Sequence, residues 1–267
     1  MTDRNGNLGR LSEAEQARLA SDGFVVREGV FDRQELARIT SACETLVDNL
    51  VRNRKAERFK VGSYVFDPDL TQGVMIKWEG DSDVVHGIEP FAHLSPELEA
   101  WAYDPRFVES MKDVLGYSEP TLFTEKLNLK RPHHGGANPL HQDYPYWVGV
   151  AEDAHDVATS MLFLDDSTLE NGCLQVVPGS HHQGPWRTRT DGDRFAHNEI
   201  DAGAYEDVTP VPVEVAAGAV VTFGPLLAHQ SAPNLSGRER RALLFSYQPP
   251  GRRHSLESLR KLRIEQK

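Results

Sequence analysis

Two textures divide the chain, and they meet near residue 120. Before it, apolar positions recur at helical spacing. Ser12 with Glu15 three residues on forms a capping box, and Gly23 stands where that helix would close. A short strand is expected over Phe24, Val25 and Val26. Asp32 and Glu35 repeat the box, and Leu36, Ile39, Cys43, Leu46, Val47 and Leu50 then mark one face of a long amphipathic helix. Cys43 sits on that stripe and reads as a buried structural thiol. Asp104-Pro105 predicts another helix start, with Phe107, Val108, Met111, Val114 and Leu115 as its apolar face and Gly116 past its end.

After residue 120, strand-like runs alternate with turn signals, over 121–130, 158–165, 173–178, 211–216, 219–224 and 241–248. Helices followed by many short strands predict a mainly β barrel or jelly roll with a helical flank. The expected layout is one domain over 1–267, with a flank at about 11–118, a β core at about 120–248 and a tail at 249–267. Residues 1–10 and the polar loop near 183–207 read as mobile segments. Within 121–129, Phe123, Leu127 and Leu129 fall on one face and Thr124, Lys126 and Asn128 on the other. The polar face points either to water or into a polar barrel interior.

Composition narrows the classes. The net charge of −11, from 40 acidic and 29 basic residues, is the wrong sign for a nucleic-acid binder. The two cysteines, Cys43 and Cys173, form no CxxC pair, which excludes a thiolate zinc site. No apolar run is long enough to span a membrane, and MTDRNGNLGR lacks the apolar stretch of a signal peptide. A reducing cytoplasm is the expected setting.

The candidate chemistry is concentrated in a few residues. In His141-Gln142-Asp143, positions i and i+2 of an extended segment point the same way, so an imidazole and a carboxylate can meet one metal while Gln142 points elsewhere. His229 follows the apolar run 219–223 and a Gly224-Pro225 turn, which presents it from a rigid element. Two histidines and a carboxylate make a facial set for non-haem iron, with coordination positions left open. Arg240 opens the apolar strand that continues through Tyr247; facing inward, its guanidinium requires an anionic partner, and a carboxylate fits it in a bidentate fork. Ser231 can add a hydroxyl. In the pairs His133-His134 and His181-His182 the neighbours point to opposite sides of an extended chain, so they could chelate only in a loop, and the isolated His86, His93, His155, His197 and His254 lack ligand partners at suggestive spacing.

These residues stand within a longer pattern: Pro139-Leu140-His141-Gln142-Asp143, Glu170-Asn171-Gly172-Cys173-Leu174, Val177-Pro178-Gly179-Ser180-His181, and 225–234 followed by Arg240-Arg241-Ala242. Their order resembles the phytanoyl-CoA dioxygenase family, as does Asp22-Gly23-Phe24-Val25-Val26. The resemblance implies a double-stranded β-helix, of the jelly-roll or cupin type, that uses Fe(II), 2-oxoglutarate and O2. It implies His141, Asp143 and His229 as iron ligands, with Arg240 and Ser231 at the distal carboxylate of 2-oxoglutarate. Gln142, Lys126 and Met161 would line the cosubstrate pocket. Asp143 stands where related halogenases carry Gly or Ala, so hydroxylation of a small molecule, with release of succinate and CO2, is the implied reaction. Two alternatives stay open: a catalytically idle binding protein of the same fold, and a cupin-like metalloenzyme that does not use 2-oxoglutarate. Substrate contacts are expected from Tyr144, Tyr146 and Trp147, which follow the HxD motif. The run Met75, Ile76, Lys77, Trp78 reads either as a core anchor with a solvated lysine or as a lid placing Lys77 and Trp78 at the substrate.

Overall fold

The structure is a computed structural model; it describes residues 9–52, 58–61, 64–69, 72–188, 199–201 and 208–257. Most of the expected N-terminal tail, part of the loop near 183–207 and the end of the C-terminal tail lie outside the described residues. In chain order the elements are α1 (Glu13–Asp22), β1 (Phe24–Arg27), α2 (Arg33–Arg52), β2 (Phe59–Val61), β3 (Tyr64–Asp69), β4 (Val74–Trp78) and β5 (Val85–Glu89). Next come α3 (Pro96–Ala102), α4 (Pro105–Leu115), β6 (Thr121–Lys130), β7 (Asn138–His141), α5 (Tyr144–Trp147), β8 (Ala158–Phe163) and β9 (Leu174–Val176). The last are β10 (Val211–Val213), β11 (Val220–Phe223), β12 (His229–Ser231) and β13 (Arg240–Gln248).

The helix ends follow their capping chemistry. Ser12 and Glu15 form the reciprocal box at α1, and Gly23 closes it in the left-handed region at φ 86°. The Asp32 carboxylate accepts from the amides of Gln34 and Glu35, and Glu35 reaches back to the Asp32 amide. Asp104 caps α4 and Gly116 ends it.

The strands form two antiparallel sheets. The large one runs β1-β11-β8-β13-β6-β5-β4-β3-β2 and the small one β10-β9-β12-β7. The middle of the large sheet is covered on both faces, and β8 and β11 are accordingly buried along their whole length. Leu127, Leu129, Leu162, Val220, Leu243 and Phe245 pack on the helices through Leu36, Ile39, Phe107 and Met111. The alternate residues Met161, Phe163, Val221, Phe223 and Ala242 meet Leu174, Val176 and Val213 of the small sheet. Cys43 is buried, and burial pushes its thiol up to about 12. Both cysteines are free. No helix among the described residues is long and apolar enough to cross a membrane.

One expectation needs correction. The stretch expected as a helical flank carries four further strands, β2 to β5, which pair in order and extend the large sheet through the Gly87–Asn128 and Ile88–Leu127 register. Residues 74–78 alternate buried and half-buried, a period of two that marks a strand covered on one face.

Candidate active site

A cavity of about 360 Å3 opens between the two sheets. His141 ends β7 and Asp143 lies just beyond, at the N-terminus of α5, with helical backbone angles, so the two do not share one regular strand. Their side chains still converge, with His141 Nε2 3.8 Å from Asp143 Oδ1. His229 opens β12 directly opposite His141 in the sheet register, and the two rings stand 4.2 Å apart. One ligand atom from each of His141, Asp143 and His229 falls within 4.8 Å of the others.

The donor set fits a divalent metal. His141 Nδ1 lies 2.7 Å from the Pro139 carbonyl and His229 Nδ1 3.0 Å from the Leu227 carbonyl. Each Nδ1–H is thereby spent on backbone, which leaves each Nε2 as a free lone pair and locks the ring. Burial, followed by the neighbouring His229, holds His141 well below the usual imidazole range, in the neutral form that ligates. Phe223 packs against His229 and Tyr146 edge-on against His141.

On the large sheet, Arg240 and Arg241 go opposite ways. Arg241 binds Asp165 and Glu44 through its guanidinium. Arg240 is 1% exposed and lines the cavity; its Nε has no hydrogen-bond partner among the described residues. Burial lowers its pKa to about 10, with Cys173 and Asp165 opposing, so it remains a cation. A buried cation of this kind requires an anion. Ser231, Met161 and Lys126 share the cavity wall. Lys126 pairs with Glu89 at 3.0 Å; burial lowers its pKa, but Glu89 and Asp143 outweigh that and leave it raised.

Other expected contacts fall elsewhere. Gln142 does not line the cavity: its amide donates to the carbonyls of Gly184 and Leu226 and accepts from the Trp186 amide, tying three loops together. Tyr144 also faces away, its amide bonded to the Pro225 carbonyl and its ring 4.4 Å from His155. Trp78 is 1% exposed in the helix-side core with Arg58 3.9 Å over its ring, so it neither forms a lid nor meets the cavity. Lys77, the next residue on the strand, does line the cavity, as do Tyr146 and Trp147.

The polar face of β6 lines the interior through Thr124, Lys126 and Asn128. Phe123 joins them against its expected parity. The register against β13 shifts between Ser246 and Tyr247, and this irregularity turns Phe123 to the cavity, edge-on to Trp147. His86, Glu89 and Asn138 also line the cavity, and no sequence motif marks them. The usable signal for them was alternation: Asn138 sits on the strand that ends at His141, and 85–89 reads as a strand beside 74–78.

Two facing sheets around a cavity, with two histidines and a carboxylate at one end, define a double-stranded β-helix protein carrying the ligand set that non-haem iron oxygenases use. The chain belongs to the phytanoyl-CoA dioxygenase (PhyH) family, whose model matches residues 19–242. It is 34% identical to a phytanoyl-CoA dioxygenase of Arabidopsis thaliana over 149 residues, 56% of this chain and 51% of that protein. It is 33% identical to L-proline trans-4-hydroxylase of Streptomyces griseoviridis over 190 residues, 63% of this chain and 69% of that protein. The chain spans about half the length of the plant phytanoyl-CoA dioxygenases it matches. The crystal structure of EctD from S. alaskensis with 2-oxoglutarate and 5-hydroxyectoine shares the fold, with a TM-score of 0.70 at 22% identity over 93% of this chain and 79% of that one.

Proposed function

We propose that the chain, acting as one unit, is an Fe(II)- and 2-oxoglutarate-dependent oxygenase that hydroxylates an aliphatic C–H bond of a small molecule, with release of succinate and CO2. The observation that carries this reading is the pairing of two features across one cavity: a converging His141–Asp143–His229 set whose imidazoles are held by backbone carbonyls, and the buried Arg240 cation whose Nε has no hydrogen-bond partner among the described residues. His141, Asp143 and His229 would hold the metal. Arg240 would grip the distal carboxylate of 2-oxoglutarate, with the Ser231 hydroxyl beside it. Lys126 and Met161 would flank the cosubstrate. Iron, 2-oxoglutarate and O2 supply the oxidation when bound; the protein supplies position and dryness.

The remaining wall suits a compact substrate with an apolar body. Tyr146, Trp147, Phe123 and Met75 provide apolar surface, and Lys77 and Glu89 provide charge. Aromatic side chains there exclude water from the reacting carbon. The test is succinate release under air from purified protein, with and without Fe(II) and 2-oxoglutarate, over a panel of small aliphatic substrates. Succinate that requires both, and rises with one member of the panel, supports the reading; turnover without 2-oxoglutarate sinks it.

A further inference from the structure

A chain of four side chains crosses from the strand extension to the small sheet and ends at Ser231. Glu79, just past β4, lies with Oε1 2.7 Å from His86 Nδ1. His86 Nε2 on β5 lies 3.2 Å from Asn138 Oδ1 on β7. The Asn138 amide then donates to Ser231 Oγ on β12 at 3.2 Å. The start of the chain is fixed, because the Gly136 amide also donates to Glu79 Oε1 at 2.7 Å. A Cβ at Gly136 would meet Glu79 Oε2 at 2.6 Å, so a larger residue there would push the carboxylate from this position. His86, Asn138 and Ser231 line the cavity, and Glu79 backs them.

Counting protons along the chain shows two self-consistent states. The short contact to a carboxylate assigns a hydrogen to His86 Nδ1. If Nε2 also carries one, it donates to Asn138 Oδ1, the Asn138 amide donates to Ser231 Oγ, and the Ser231 hydroxyl is free to donate into the cavity. If Nε2 is bare, the Asn138 amide turns over and donates to it; Oδ1 then takes the Ser231 hydroxyl, which has nothing left to donate. One proton on His86 therefore decides whether Ser231 offers the cavity a donor or a lone pair.

Resting on the 2-oxoglutarate reading above, we propose that Glu79, His86 and Asn138 are positioning residues that turn the Ser231 hydroxyl toward the carboxylate gripped by Arg240, so that cosubstrate binding takes up a proton at His86. The groups facing His86 set its resting state. Burial and then Lys77 of β4 lower its pKa, Glu79 raises it and Lys130 of β6 lowers it, for a net value of about 4. His86 is thus neutral in the free protein near neutral pH, the state in which the Asn138 amide is turned over from the orientation given above, and an anion in the cavity draws the proton on and restores that orientation. Lys130 also responds to an anion, since burial and the nearby Arg240 lower it to about 7; only the part of the uptake that depends on His86 belongs to the relay.

The experiment is calorimetric titration of 2-oxoglutarate into Fe(II)-loaded protein under argon, near neutral pH, in two buffers of different ionisation enthalpy. The buffer dependence of the heat counts protons directly. The wild type is expected to take up more protons than His86→Gln or Ser231→Ala. Both variants should bind 2-oxoglutarate more weakly, by roughly three- to tenfold, the effect of one hydrogen bond. Ser231→Ala keeps the test alive should His86→Gln fail to fold, because it removes the end of the relay and leaves the strand pairing untouched. Uptake that is equal in wild type and Ser231→Ala, or that survives in folded His86→Gln, overturns the relay while leaving the oxygenase reading in place. A wild type that does not bind 2-oxoglutarate at all overturns both.

Discussion

The two walls of the cavity are built on different terms. On the wall of β7, β12 and β13, the two histidines and Arg240 are fixed by backbone: His141 by the Pro139 carbonyl, His229 by the Leu227 carbonyl, and Arg240 by its place in a strand paired on both sides. On the wall of β3 to β6, side chains hold one another, as in Lys126 with Glu89 and Glu79 with His86. Backbone-held groups leave a single geometry open, as a metal and a fixed cosubstrate require. Side-chain pairs can be exchanged without rebuilding the fold, so the second wall is where substrate preference can vary between relatives of this architecture.

The sharpest way to break this contrast is at the metal. His141→Ala, Asp143→Ala and His229→Ala are each expected to lose most Fe(II) and more turnover than the roughly 10–100-fold typical of losing an outer partner. Iron content with succinate release measures both, and a variant with near wild-type turnover at low iron would remove that residue from the ligand set. Next is Trp78, whose truncation should cost about 3–5 kcal/mol of stability by leaving a core cavity. Its neighbour Lys77→Ala should instead leave stability nearly intact and raise the substrate KM or uncouple succinate from product. Urea titration and product analysis separate the pair, and the reverse pattern would undo the assignment of their faces.

Arg240→Ala should weaken 2-oxoglutarate binding by roughly 10–100-fold, from the loss of about 1.5–3 kcal/mol of charged hydrogen bonding. Arg241→Ala, which removes the guanidinium paired with Asp165 and leaves Glu44 to Arg131 alone, should lower stability and leave that affinity unchanged. A 2-oxoglutarate titration of both variants decides it. The smallest effect concerns Lys130, whose ammonium donates to the carbonyls of Gly136 and Ala232. Burial, then Arg240, lowers its pKa from 10.5 to about 7. Between those values the unfolded chain binds more protons than the folded one, so stability rises with pH. Lys130→Met should flatten that rise in urea midpoints taken across the window; an unchanged slope would show that Lys130 does not cause it.

Much of this was legible in the residues. The capped helices α1, α2 and α4 were visible because caps and apolar stripes are local rules. The iron-ligand candidates stood out because their motifs are short and ordered, and Arg240 separated from Arg241 because adjacent strand residues face opposite ways. Less legible was the extension of the sheet by β2 to β5. The alternation in 74–78 is brief, and Lys77 on its polar side looks like a residue bound for water.

The sequence by itself determined the helices and their caps, the mainly β second half, and which histidines and carboxylate form a candidate metal set. The tertiary structure alone decided that the polar faces of β4, β5 and β6 turn inward, that Phe123 leaves its parity at a register shift, and that Gln142 ties loops instead of lining the cavity. The physical reason is that a polar strand face is the same string of residues whether it meets water or a second sheet. Only the packing of the two sheets fixes which of these it meets, and with it what the buried charges must bind.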